Sequence, residues 1–253
     1  MTATRTFVDG STPTVLLVHG AFTDASIWMD VIAGLQDAGI GVLAPANPLR
    51  GLATDAEYLA GVVRAIDGPV LLAGHDYGGA VITQAGSGAD NAVGLVYVAA
   101  FVPAAGECLL DLTARFPDTR LRPALRPATF PAGDTGSGVE LYLTVERYRD
   151  VFAADLPERT TAAAAAAQRP IAAAAFQQPV TAAAWTTRPC WFVVAAADRA
   201  IHPDAQRFMA RRAGADTVEV DASHAVARSR PDEVTTHIRA AAAAARAPRV
   251  RPI

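Results

Sequence analysis

The segment Gly74-His75-Asp76-Tyr77-Gly78-Gly79 constrains this chain more than any other. It follows the apolar run Val70-Leu71-Leu72-Ala73 and precedes a stretch of small residues. The run reads as a buried strand and the small residues as a helix. A strand that turns sharply into a helix lifts the central side chain of the turn above the sheet. The backbones then approach so closely that only small residues fit around it. Gly74 and Gly78 stand two before and two after Asp76, the spacing of a nucleophile elbow with aspartate where serine is usual. In isolation, a glycine-rich turn carrying a surface aspartate would look the same.

The rest of the chain supplies the context. Val15-Leu16-Leu17-Val18 is a second continuous apolar run, as expected of a strand covered on both faces. A helix is predicted over 24–37, a short strand over 41–44, a helix over 54–66 and a strand over 95–99. Thr54 with Glu57 predicts a capping box for the third of these. Strands alternating with helices predict an α/β fold with a mostly parallel, doubly wound sheet. The alternation breaks after Pro103 and resumes at the strand 190–194. A helix over 203–213, a strand over 217–220 and a helix over 231–245 then follow. The intervening residues hold recurring prolines, then glycines, then alanine runs at 162–167 and 172–175, and read as an inserted helical cap. The predicted organisation is a core of 1–102 and 186–253 with a cap of 103–185.

Hydrophobic residues make up 51% and charged residues 19%, so the chain can bury a large core. A net charge of −3 without a basic stripe argues against nucleic acid. No apolar run reaches the length of a membrane span, and no signal peptide is read at the start. Cys108 and Cys190 lack metal-ligand spacing and read as reduced, partly buried thiols of a cytoplasmic protein. No metal site is expected.

Three further elements carry chemistry. His19-Gly20-Ala21-Phe22 directly follows the first strand, where a loop N–H can complete an oxyanion hole. That donor is the Ala21 N–H, and the second is the N–H of Tyr77, next after the elbow residue. Asp198 follows the strand at 190–194, and His224 follows the last strand. Asp221 is a rival acid, but it lies too near His224 and follows no separate strand end. Nucleophile, acid and histidine therefore occur in the order Asp76, Asp198, His224.

On these motifs the chain resembles the α/β-hydrolase superfamily. It looks most like the small-cap branch of plant hydroxynitrile lyases, methylesterases and their bacterial relatives. Val18-His19-Gly20-Ala21, the elbow, Asp198-Arg199-Ala200-Ile201, Gln206-Arg207-Phe208-Met209 and 218–224 carry the resemblance. It implies about six core strands, a small cap and no cofactor. That branch has serine at the elbow. The His-Asp-aromatic-Gly order is similar instead to epoxide hydrolases and haloalkane dehalogenases. Those families usually follow the aspartate with tryptophan; Tyr77 stands there, and no Asn follows His19-Gly20, which weakens the dehalogenase reading. Epoxide hydrolases donate protons from cap tyrosines, which the resemblance carries to Tyr142 and Tyr148. Phe22, His75, Trp28 and Trp185 either line a pocket or belong to the core.

A carboxylate attacking an ester would form an anhydride, so Asp76 argues against ordinary ester hydrolysis. It can open a strained sp³ carbon such as an epoxide, giving an alkyl ester on Asp76 that water, activated by His224, then hydrolyses. N–H donors and the helix start at Gly78 are expected to hold the Asp76 pKa low. The rate is expected to rise through a His224 pKa of roughly 6 to 8. Two other readings remain open: a non-covalent acid–base lyase or cyclase, and an esterase whose serine is replaced by Asp76. The expected partner is a small organic molecule, and a homodimer through the cap or last helix is a base-rate expectation.

Overall fold

The computed structural model describes residues 12–133 and 136–245. The apolar runs form the strands β1 (Thr14–Val18), β3 (Val70–Asp76), β4 (Ala92–Ala100) and β8 (Cys190–Ala195), and nearly all of their residues are buried. With the edge strands β2 (Val42–Leu43) and β9 (Asp216–Val220) they make a six-stranded sheet of order β2-β1-β3-β4-β8-β9, every pair parallel. Such strands can stay apolar throughout because helices cover both faces. α1 (Met29–Asp37) packs against α9 (Pro231–Ala245), and α2 (Leu52–Arg64) against α3 (Tyr77–Ala85). The strand order reverses around β1 and β3. The loops after these two strands therefore open the crevice where ligands bind in such sheets.

Several local expectations are corrected. α2 starts at Leu52 with Gly51 as its cap, so Thr54 lies inside the helix and there is no capping box with Glu57. Instead the Asp55 carboxylate reaches back to accept the Arg50 N–H (3.1 Å) and the Gly51 N–H (3.4 Å). The segment expected to be helical does hold α4 (Leu109–Thr113), α5 (Val145–Phe152) and α6 (Glu158–Ala167), the last formed by the first alanine run. It also holds an antiparallel sheet of β5 (Leu125–Pro131), β6 (Ser137–Leu143) and β7 (Ile171–Ala172) in the order β5-β6-β7. Pro127 and Pro131 lie in β5, an edge strand, where a missing N–H is tolerated. The second alanine run is not an α-helix: it gives the end of β7 and a short 3₁₀ turn, Ala173–Phe176. After β9, α7 (Pro203–Arg212) having preceded it, a short α8 (Val226–Ser229) leads into α9. Among the described residues no helix is long and apolar enough to cross a membrane, and no group of three or more His, Cys, Asp or Glu side chains is placed to hold a metal.

Candidate active site

β3 runs directly into α3, and Asp76 is the residue at the turn. Its φ of 52° is a left-handed conformation that an aspartate adopts only when its surroundings impose it. Those surroundings are close. A Cβ on Gly78 would stand 2.3 Å from the Val18 carbonyl oxygen, so α3 can approach β1 only with glycine there. The Phe101 N–H, just past β4, donates to the Asp76 carbonyl at 3.1 Å and ties down the other side of the turn.

The loop after β1 brings the donors. His19 is locked at both ring nitrogens: Nδ1–H donates to the Gly20 carbonyl (2.9 Å) and Nε2 accepts the Asn47 N–H (3.0 Å). The Asn47 side-chain amide donates back to the His19 carbonyl at 2.9 Å. Burial lowers the His19 pKa, in keeping with a neutral ring. Held this way, the loop aims the Ala21 N–H at Asp76 Oδ2, 2.8 Å away. The Tyr77 N–H also acts on the carboxylate. The two donors expected from the sequence thus meet on Asp76 itself.

His224 and Asp198 complete the cluster. His224 Nδ1–H donates to Asp198 Oδ2 at 2.7 Å, and Nε2 faces Asp76 Oδ1 at 3.6 Å. Asp221, the rival acid, is solvent-exposed. Asp198 is fully bonded: Oδ1 accepts the N–H groups of Ala200 (2.7 Å) and Ile201 (3.0 Å), and Oδ2 also accepts the Gln206 side-chain amide (2.7 Å). Gln206, on α7, is wholly buried and satisfied by the Ile201 carbonyl and the Ala195 N–H as well. The sequence offered one signal for it, a polar residue on the helix face that carries Ala205 and Met209. Burial raises the Asp76 pKa, outweighing the His224 charge and the N–H bonds, which corrects the expectation of a low value. Burial alone would lower His224, but the charges of Asp198 and Asp76 dominate and its pKa is raised.

The residues expected to touch substrate are placed differently from one another. His75 is entirely buried behind His224: its Nε2–H donates to the His224 carbonyl at 2.9 Å, and its ring lies among those of Trp28, Phe152 and His224. Its task is to support the His224 backbone rather than to present a surface, and burial holds its pKa well below the ordinary value. Trp28 is core. The Tyr142 hydroxyl donates to Glu140 (3.1 Å), and Trp185 Nε1–H donates to the Pro103 carbonyl (2.9 Å). Tyr148 is buried, with its hydroxyl donating to the Phe22 carbonyl at 3.0 Å. Both cap tyrosines expected as proton donors therefore spend their O–H on other groups. Phe22 contributes a buried ring and a backbone fixed from two sides. A cavity of about 710 Å³ is lined by Phe101, Ala200, Leu121, Leu125, Leu141 and Phe176, among others; Asp76 and His224 do not line it. Its size suits a drug-sized organic ligand. It meets the cluster through Phe101 and Ala200, whose N–H groups bond the Asp76 carbonyl and the Asp198 carboxylate.

Residues 15–236 match the sequence profile of the Alpha/beta hydrolase family. The chain belongs to this family. Among curated proteins this α/β hydrolase is similar to the carbendazim hydrolyzing esterase of Nocardioides sp. (strain SG-4G), 36% identical over 110 residues. That match covers 38% of the chain and 46% of the relative, so it spans less than half of either. Among solved structures, polyneuridine aldehyde esterase superposes with a TM-score of 0.77 at 20% identity, over 89% of this chain and 97% of that one. A pyrethroid hydrolase from Sphingobium faniae JZ-2 superposes with a TM-score of 0.75 at 22% identity, over 92% and 98%. At such identities the likeness shows the fold of this α/β hydrolase and nothing finer.

Proposed function

We propose that this α/β hydrolase opens an sp³ electrophile, an epoxide, with Asp76 as nucleophile. The observation that supports it is the hydrogen bond from the Ala21 N–H to Asp76 Oδ2. The oxyanion hole is filled by the nucleophile's own oxygen, so a substrate carbonyl oxygen has no place in it. Oδ1 is the free oxygen, 3.6 Å from His224 Nε2. Oδ1 attacks an epoxide carbon, the C–O bond of the ring breaks, and the released alkoxide takes a proton from water. The product is an alkyl ester on Asp76. Neutral His224 then accepts a proton from a second water as it attacks the Asp76 carboxyl carbon. Negative charge builds on Oδ2, where the Ala21 and Tyr77 N–H groups already point. Collapse breaks the ester bond, and the leaving alkoxide takes the proton back from the His224 imidazolium and departs as the diol. The new Asp76 carboxylic acid gives its proton to the hydroxide left by ring opening, and Asp198 supports the imidazolium while it exists.

Replacing the base stalls this sequence after alkylation. His224→Gln incubated with aryl and alkyl epoxides should gain the mass of one epoxide, mapped to Asp76. A second reading, an esterase left inactive or as a binding form because Asp76 replaces its serine, is favoured by the 36% identity to a carbendazim hydrolyzing esterase. An unmodified, folded His224→Gln together with strong p-nitrophenyl esterase activity in Asp76→Ser would sink the first reading and establish the second.

A further inference from the structure

The Ala21 N–H belongs to the Gly20–Ala21 peptide, and the cap holds each of the two peptides that follow it. The Phe22 N–H donates to the Arg169 carbonyl at 3.0 Å, just past α6. The Phe22 carbonyl accepts the Tyr148 hydroxyl at 3.0 Å, from α5. Phe22 itself is bent into a left-handed conformation with φ of 59°, which a bulky aromatic residue does not hold unaided. Two cap groups hold Phe22, in addition to the His19 bond to the Gly20 carbonyl that holds the preceding peptide. The Tyr148 ring also stacks on Phe152 at 5.1 Å, and Phe152 meets the His224 ring edge-on at 4.8 Å.

We propose that Tyr148 is a positioning residue, a latch from the cap that keeps the Ala21 N–H aimed at Asp76 Oδ2. Its hydroxyl holds the Phe22–Thr23 peptide, the Arg169 carbonyl holds the Ala21–Phe22 peptide, and together they restrict the Gly20–Ala21 peptide that carries the Ala21 N–H. Its functional consequence rests on the aspartate-nucleophile reading. Hydrolysis of the Asp76 ester puts charge on Oδ2 and needs the donor in place, whereas alkylation draws charge away from the carboxylate and needs it less. The contribution is therefore selective for the second step.

Tyr148→Phe keeps the ring and its stacking and removes only the O–H. A role in packing alone would leave the loop untouched. The first test is amide NMR on the full chain. The Ala21 and Phe22 amides should exchange about five- to tenfold faster in Tyr148→Phe, the effect of losing one buried hydrogen bond, with β3 amides unchanged. The shift of the Ala21 amide proton as Asp76 titrates should shrink as well. The second test uses styrene oxide in single turnover: decay of the Asp76 adduct should slow about tenfold, with its formation changed less than twofold. Wild-type exchange and an unchanged titration shift at Ala21 would overturn the latch. If the Ala21 amide responds but styrene oxide leaves no adduct in either protein, the latch stands and the aspartate-nucleophile reading falls.

Discussion

Ionised Asp76 is a cost to the fold, because burial raises its pKa more than its N–H partners and His224 lower it. Its protonated form is favoured relative to the unfolded chain, so its contribution to stability is full below the unfolded pKa and is lost as pH rises through the folded one. Asp76→Asn removes the charge and keeps an acceptor for Ala21. It should raise Tm by a few degrees, the size of about a 1 kcal/mol change in a domain of this length. The gain should be larger at pH 9 than at pH 6, where protonated His224 offsets the carboxylate. A lower Tm at both pH values would contradict this. His224 has the same sign: its raised pKa stabilises below the unfolded value, and that is lost as pH rises through the folded value. As a base it works only when neutral, so turnover should rise with pH through an inflection above the ordinary histidine value, and Asp76→Asn cannot be used to find it. A profile with no such rise would remove His224 as the base. Gly20 gives a separate test. A Cβ there would stand 2.4 Å from Asp76 Cβ and 2.5 Å from Oδ2. Gly20→Ala should push the carboxylate off the Ala21 N–H and lower turnover on the order of 10²–10³-fold, as for a lost oxyanion donor, with circular dichroism unchanged.

At the scale of elements, one carboxylate gathers the ion pairs that join the cap to the acid loop. Asp150 on α5 accepts Arg120 and Arg199, both at 2.6 Å, and Arg147 at 3.4 Å. Arg199 follows Asp198, and the Arg120 N–H bonds the Arg199 carbonyl at 3.1 Å. These pairs are partly exposed and individually weak. Removing the shared partner also leaves three cations facing one another. Asp150→Ala should cost about 1–2 kcal/mol in urea titrations, less at 1 M salt; a loss that salt does not change would mean the carboxylate acts by packing. The parts of the molecule differ in how plainly the sequence shows them. β1, β3, β4 and β8 were visible because both faces are covered and each holds a continuous apolar run. The elbow was visible because close backbone approach forces glycine at fixed spacing. The hairpin of β5 and β6 was hidden because prolines sit on an edge strand and its side chains are half exposed. The Tyr148–Phe22 bond joins residues far apart in sequence, and Gln206 reads as one polar residue in a helix. Contacts of this kind leave no periodicity to find.

For the whole molecule the open question is whether the division into a core of 1–102 and 186–253 and a cap of 103–185 describes two folding units or only two stretches of chain. The packing favours one unit. Leu143, Tyr148, Val151, Phe152 and Ile171 of the cap belong to the same buried apolar cluster as the sheet strands. Cap and sheet also share hydrogen bonds, including Ala172 N–H to the Leu49 carbonyl and Ala225 N–H to the Phe152 carbonyl, both at 2.9 Å. An apolar surface common to both halves is exposed if either opens alone, so opening the cap costs much of what unfolding the whole costs. The two thiols report on the two stretches. Cys108 lies at the start of α4 in the cap, and Cys190 begins β8 in the sheet; both are buried, and burial pushes the Cys190 thiol up to about 12. In the native protein a thiol reagent should label Cys190 slowly even at pH 8, since the thiolate that reacts is scarce. In a urea series with pulsed labelling, Cys108 and Cys190 should become reactive at the same midpoint, and that midpoint should match loss of helical circular dichroism. If Cys108 were labelled at clearly lower urea, the cap would open as a unit of its own. The Ala21 N–H would then be set by a cap equilibrium that a ligand in the cavity could shift.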